Sequence, residues 1–263
     1  MRRVWILLIA MVAWGHDLYL MPEKFTVPAA GPLRVVFQNG DAFPAGSSNV
    51  KPERLRDTRA VMKAGASEFE GIKAEAKRTV ASVRVAGEGV AILTARTIPN
   101  FIELAPAKFA SYLKHENLTH VLEWREKHGE TGKPGRERYS KYVKSLVQVG
   151  KSDGYFREKT GLTIEIVPDV DPYSVRPGGE LPVQVLFRGK PAVNMAVEAA
   201  WLEKGKAVVR VVGRTDAEGR VKVPVKAAGP HRLHAIAMER CADAKAADWE
   251  SFWASLTFAI PAR

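Results

Sequence analysis

The chain has 263 residues, 46% of them hydrophobic, which is enough for one large domain or two ordinary ones with real cores and no covalent staples. Its single cysteine, Cys241, excludes an internal disulfide and is expected to be buried. Lys and Arg outnumber Asp and Glu by 40 to 29, a formal charge of +11, but acids are interspersed throughout, which indicates a solvated surface rather than a nucleic-acid footprint.

In chain order, Met1-Arg2-Arg3 precedes an apolar run over residues 4–14 that has the length of a signal-peptide core and is too short to span a membrane. Ala13 and Gly15 are small residues at the positions a signal peptidase reads, so residues 1–15 are expected to be removed and the product to be periplasmic or secreted. His16 then becomes the first residue of the working protein. Its freed α-amine and its ring nitrogen can close a six-membered chelate on a divalent metal, which no internal histidine can do. That amine, with a pKa of ~7.7–8.0, yields its proton to a metal at modest cost. The plainer alternative is that His16-Asp17-Leu18-Tyr19-Leu20 is only the first strand of a β-domain. No later run is long enough to cross a bilayer.

Residues 24–27 and 33–37 read as short strands about a Pro-Ala-Ala-Gly-Pro turn, Asn39-Gly40-Asp41 as a turn, and 46–52 as a loop. Residues 53–65 show no decisive period. The alternation of TVASVRV (79–85) and the strand-like VAILTART (90–97), joined by Gly87-Glu88-Gly89, predict a meander. Over 106–127 the apolar residues are spaced mostly by three to five, which predicts one or two amphipathic helices broken near Asn117. Tyr139, Tyr142, Val143, Leu146 and Val147 have helical spacing, so 136–149 is read as a further helix with Arg136, Arg138, Lys141 and Lys144 on its wet face. From Gly161 onward about seven short strands separated by turns predict an immunoglobulin-like or transthyretin-like sandwich. The expected organisation is a mainly β protein of two sandwich-like domains: 16–160, with a helical segment at about 106–149, and 161–263.

Catalytic signatures are missing: there is no Gly-x-Ser-x-Gly elbow, phosphate-binding glycine loop or His-Glu-x-x-His helix, and Cys241 has no partner. A binding protein is therefore expected rather than an enzyme. Glu116, His120 and Glu123 share a face only if one helix runs unbroken through Asn117. Asp169 and Asp171 lie in a proline-rich loop, where aspartates usually cap turns.

Several motifs in one order, HDLYLMP (16–22), RERYSKYVKSL (136–146), residues 162–168 with Asp171-Pro172-Tyr173, TDAEGR (215–220) and WESFWASLTF (249–258), resemble a bacterial exported family of unknown function that carries a nickel-uptake, NikM-like or NikK-like, label. The resemblance spans nearly all of the chain after residue 15. It implies nickel as ligand and a membrane transporter as partner; amine and imidazole nitrogens suit copper as well as nickel, so the divalent metal expected is nickel or copper. Members often carry a histidine just before the methionine of the strand that here reads HRLHAIAM (231–238). This chain has Ala237 there, so the nitrogens available to join His16 are those of His231 and His234. Being three apart, these two cannot face one site from a regular strand. The alternative function is a non-catalytic structural or adhesive envelope module binding protein or glycan, for which an exposed patch at Trp249, Phe252 or Trp253 would be the sign. A copper oxidase built on the same chelate has no second-site support.

Overall fold

The computed structural model describes residues 16–262; the expected signal segment, 1–15, lies outside them. The protein is mainly β. In chain order the strands are β1 (Leu18–Pro22), β2 (Thr26–Val27), β3 (Gly31–Asn39), β4 (Leu55–Met62), β5 (Gly65–Glu68), β6 (Glu70–Glu75), β7 (Arg78–Val85), β8 (Gly89–Thr97) and β9 (Asn100–Leu104). The helices α1 (Pro106–His115) and α2 (Thr119–Lys127) follow. Then come β10 (Gly135–Val149), β11 (Ile164–Pro168), β12 (Glu180–Phe187), β13 (Lys190–Pro191), β14 (Ala196–Glu203), β15 (Lys206–Arg214), β16 (Arg220–Pro224), β17 (Gly229–Arg240) and β18 (Trp249–Ile260).

They form three sheets. A ten-stranded sheet runs β15-β14-β17-β18-β10-β8-β4-β5, with β2 and β9 also paired to β10. One four-stranded sheet has the order β1-β3-β7-β6, and another joins β11, β13 and β16 to β12. The central pairing is parallel: Glu137 lies beside Trp249 and Ser145 beside Thr257, so β10 and β18, far apart in sequence, are neighbours in the large sheet.

This arrangement follows from alternation on strands with both faces covered. On β10, Val143, Val147 and Val149 enter a core shared with Leu18, Leu20, Val35 and Phe37, while Tyr142 and Leu146 enter another shared with Ile166, Val183 and Val185. On β18, Phe252, Ala254, Leu256, Phe258 and Ile260 take the second side, and Trp249 and Trp253 point the other way, against α1 and α2. The large sheet is thus a shared wall: the third sheet covers one face, and the first sheet and the helices cover the other.

The helix expected over 136–149 is instead the strand β10. Tyr139, Tyr142, Val143, Leu146 and Val147 mimic a helical stripe because a strand buried on both faces also places apolar residues three, four and seven apart. Lys141 and Lys144, assigned to a wet face, are buried, while Arg136 and Arg138 pair with Asp248 and Glu250. The break near Asn117 is real: α1 ends at His115, Asn117 has φ +58°, and α2 starts at Thr119. Glu116 and His120 therefore do not share a continuous helix face. His120 instead lies 2.9 Å from the Met238 carbonyl through Nε2. Cys241 is buried and Asp171 caps a short turn by accepting from the Tyr173 amide, both as expected.

Candidate functional site

The N-terminal segment is held by its main chain. Its strand β1 pairs with β3 and lies across one face of the large sheet, where Ser255 and Thr257 of β18 donate to the carbonyls of Leu18 (2.8 Å) and Leu20 (2.5 Å). This explains why a central strand carries hydroxyls on one face: they satisfy carbonyls that would otherwise be buried without partners. The same docking sets Asp17 over β17. Its carboxylate meets Arg232 Nη1 at 2.5 Å and His234 Nδ1 at 3.4 Å. Arg232 also pairs with Glu198 at 2.8 Å.

His234 lies between two acids, its Nε2 3.7 Å from Glu116 Oε2, and His115 approaches the same Glu116 at 3.0 Å. Burial opposes charge on the His234 ring, but Asp17 and Glu116 outweigh it, so its pKa is raised above the ordinary value. For Glu116 burial is likewise overridden, by hydrogen bonds from His115 and His234, and its pKa is held at about 2. His231 faces the other way. Its ring stacks on Phe258 at 5.6 Å, Nδ1 meets the Gly229 carbonyl at 3.0 Å, and burial lowers its pKa. His231 and Ala237 thus share the face turned to the third sheet, while Arg232 and His234 share the face turned to the N-terminal segment.

Beside this cluster opens a cleft of about 480 Å³, with His16 at its lip. One face of β10 lines it with Glu137, Tyr139 and Lys141, each two residues apart, as strand alternation requires. Tyr112 from α1 and Trp253 from β18 form an aromatic wall, stacked at 6.1 Å and 6°. The Glu137 carboxyl is wholly enclosed. It accepts from Tyr112 (3.1 Å) and from the Ser251 hydroxyl, which itself accepts from Trp253 Nε1 at 2.9 Å. Burial pushes its pKa up to about 7. Lys141 is enclosed as well; its ammonium donates to the His16 carbonyl and to Asn39 Oδ1 (3.3 Å), and burial brings its pKa down to about 8. Two groups that change charge near neutrality therefore share one strand face.

His16 remains partly exposed, its Nδ1 3.3 Å from both oxygens of Asp41. Of the three histidines singled out in the sequence, His16 opens onto the cleft, His234 contacts the neighbouring Asp17, and His231 lies on the opposite face of β17. Among the described residues no three His, Cys, Asp or Glu side chains are grouped so as to hold a metal. Glu137, Lys141, Arg54 and Asp41 escaped the sequence reading. The signal for the first two was present in the alternation Glu137-x-Tyr139-x-Lys141, once 135–149 is read as a strand.

A family model described as a domain of unknown function (DUF4198) matches residues 13–239; its description names neither a metal nor an activity. No curated protein matches the chain. Among solved structures, the chain is similar to the adhesin InvE of Yersinia pseudotuberculosis, with 11% identity and a TM-score of 0.24, covering 93% of this chain and 58% of that one. Others are the D0-D1 domain of intimin (12% identity, TM-score 0.22, covering 92% and 97%) and the Escherichia coli adhesin FdeC (13%, 0.24, 94% and 64%). The chain therefore spans less than two thirds of the length of InvE. Among the described residues no helix is long and apolar enough to cross a membrane.

Proposed function

The chain belongs to the DUF4198 family of unknown function, and on that premise we propose that the protein, cut after Gly15, is a periplasmic or secreted binding protein that captures a divalent transition metal, nickel or copper, at His16 for delivery to a membrane transporter. Support comes from the place of His16: its ring is partly exposed at the lip of a cleft and 3.3 Å from the Asp41 carboxylate, and its carbonyl is held by Lys141. Cleavage adds an α-amine at that point. Amine, Nδ1 and a carboxylate oxygen form a nitrogen-rich set of the kind copper(II) and nickel(II) take in tetragonal geometry. His234 would join only by leaving Asp17 and Glu116, and His231 only by leaving Phe258, so Asp41 is the nearer third ligand. The role is binding rather than catalysis.

The test is calorimetric titration of nickel and copper into protein whose first residue is verified as His16, beside a form extended by one alanine and an Asp41→Ala variant. Tight one-to-one binding is expected in the first, loss in the second, and about a tenfold weakening in the third, the usual range for losing one oxygen ligand or its support. Equal binding by all three forms would remove His16 from the function.

A second reading, a non-catalytic envelope module that binds protein or glycan, draws on a different region. Trp249, Phe252 and Trp253, the aromatic surface it was expected to use, are buried. Exposed apolar side chains lie elsewhere, at Phe101 and Val193 and, as a pair on the edge strand β15, at Val209 and Val211. Pull-down of envelope fractions with wild type against a Val209→Lys, Val211→Lys variant tests it: capture lost in the variant supports it, and equal capture removes the edge.

A further inference from the structure

Going beyond metal capture, we propose that the cleft under His16 is a binding site for a small organic carboxylate with a flat, unsaturated body, held by Arg54 and Lys141 against the rings of Tyr139 and Trp253. Two cations converge on one ring: the Arg54 guanidinium carbon lies 5.9 Å and the Lys141 ammonium 5.8 Å from the Tyr139 ring centre. The same ammonium lies 5.7 Å from the Trp253 ring centre. Among the described residues neither cation has a carboxylate in ion-pair contact. Arg54 donates to the Ile98 carbonyl at 3.2 Å, and Lys141 reaches only neutral oxygens, the His16 carbonyl and Asn39 Oδ1.

Other enclosed cations divide: Arg125 is likewise held by neutral oxygens, the Glu130 and Lys133 carbonyls, whereas two are ion-paired. Lys144 has Glu165 at 2.9 Å, and Arg232 has Asp17 and Glu198. Asp17, Asp41 and Glu137 act on Lys141 only from beyond contact, and an enclosed charge without a contacting counter-charge is costly, so an anion entering from the cleft supplies that contact. The one carboxyl that lines the cleft, Glu137, is occupied by Tyr112 and Ser251 and does not stand in for that anion. Size and lining narrow the class. A cleft of about 480 Å³ suits a ligand of small-metabolite size, and its lining mixes charged and amide groups with aromatic and aliphatic ones, Ile102 of β9 lying beside Glu137 of β10. A carboxylate at the two cations places the rest of the molecule along the Tyr139 and Trp253 faces, which rewards a planar body. The Asn100 amide, bonded to the Tyr139 hydroxyl at 2.7 Å, fixes that ring in place.

The test is calorimetry of metal-free, chelator-treated protein, with native and alanine-extended N-termini, against benzoate, acetate and inorganic phosphate. Saturable one-to-one binding of benzoate by both forms is expected, at least tenfold tighter than acetate or phosphate. Arg54→Gln, at the half-exposed rim, is expected to weaken benzoate at least tenfold while circular dichroism and the melting temperature stay unchanged. Tyr139→Leu is expected to narrow the preference for benzoate over acetate, whatever happens to Lys141→Met, whose buried site could cost the fold. Binding of benzoate that is indifferent to Arg54→Gln, a preference for phosphate, or no saturable heat in folded protein would each overturn the proposal. Because both N-terminal forms are metal-free, failure here leaves the His16 chelate standing, and failure of the chelate leaves this site standing.

Discussion

The two faces of β18 differ as much as two proteins might. The face carrying Phe252, Ala254, Leu256, Phe258 and Ile260 is apolar and closes against the third sheet; the face carrying Ser251, Ser255 and Thr257 uses its hydroxyls to hold Glu137 and the carbonyls of Leu18 and Leu20. One side of the sheet supplies cohesion and the other supplies placement. Stability and the candidate site are therefore separable by mutation along a single strand.

The largest effect should come from the apolar face. Phe258→Ala removes a fully buried ring and is expected to cost about 3–5 kcal/mol in chemical denaturation, with the N-terminal segment still docked in the folded fraction. The same side holds a buried ion pair, Lys144 with Glu165 at 2.9 Å. Lys144→Met leaves an enclosed carboxylate alone and should also cost about 3–5 kcal/mol, while Lys144→Met with Glu165→Leu should recover most of the loss. If the double variant is no better than the single one, the two residues act independently.

Titration sharpens the comparison from the other face. Glu116 has a folded pKa of about 2 against ~4.3 when unfolded, so its contribution is present above about pH 4.3 and lost as pH falls toward 2. His234 has a raised folded pKa, so its contribution is complete below about 6.5 and lost as pH rises through the folded value. Denaturation midpoints across pH should therefore decline on both sides, on the order of 2 kcal/mol in acid, and Glu116→Gln should abolish the Glu116 share of the acid limb and reduce the alkaline one, because it removes one of the two acids beside His234 and leaves Asp17. An unchanged alkaline limb in that variant would separate the two residues. The smallest effect belongs to the hydroxyls: Thr257→Val should cost about 1 kcal/mol in global stability yet speed proteolysis of the segment around Leu20, and equal protease resistance would show that the β1–β3 ladder alone holds the segment.

Much of the fold is legible in the chain because alternation reports a strand with one wet face, as at 78–85, and because the positive φ at Asn117 suits a helix break. Legibility fails at β10, where both faces are covered and period two no longer separates apolar from polar residues. Misreading that strand hid Glu137 and Lys141 among supposed surface charges. Arg54 and Asp41 were hidden differently: each comes from a separate loop or turn, and only packing brings them to Tyr139 and His16. His16 itself was legible from its position behind the leader-like segment, independently of any contact it makes.

The parallel pairing of β10 with β18 also bears on the order of assembly. Arg138 and Glu250 are 112 positions apart yet meet side by side, so the widest sheet cannot close until residues 249–260 are available. Until then β10 presents an open edge and β17 lacks its principal neighbour. Such distant contacts slow folding, because the entropy of closing the loop is lost before the pairing returns any gain. A fragment that stops short of residue 249 should therefore behave as an aggregation-prone intermediate rather than as a smaller version of the protein.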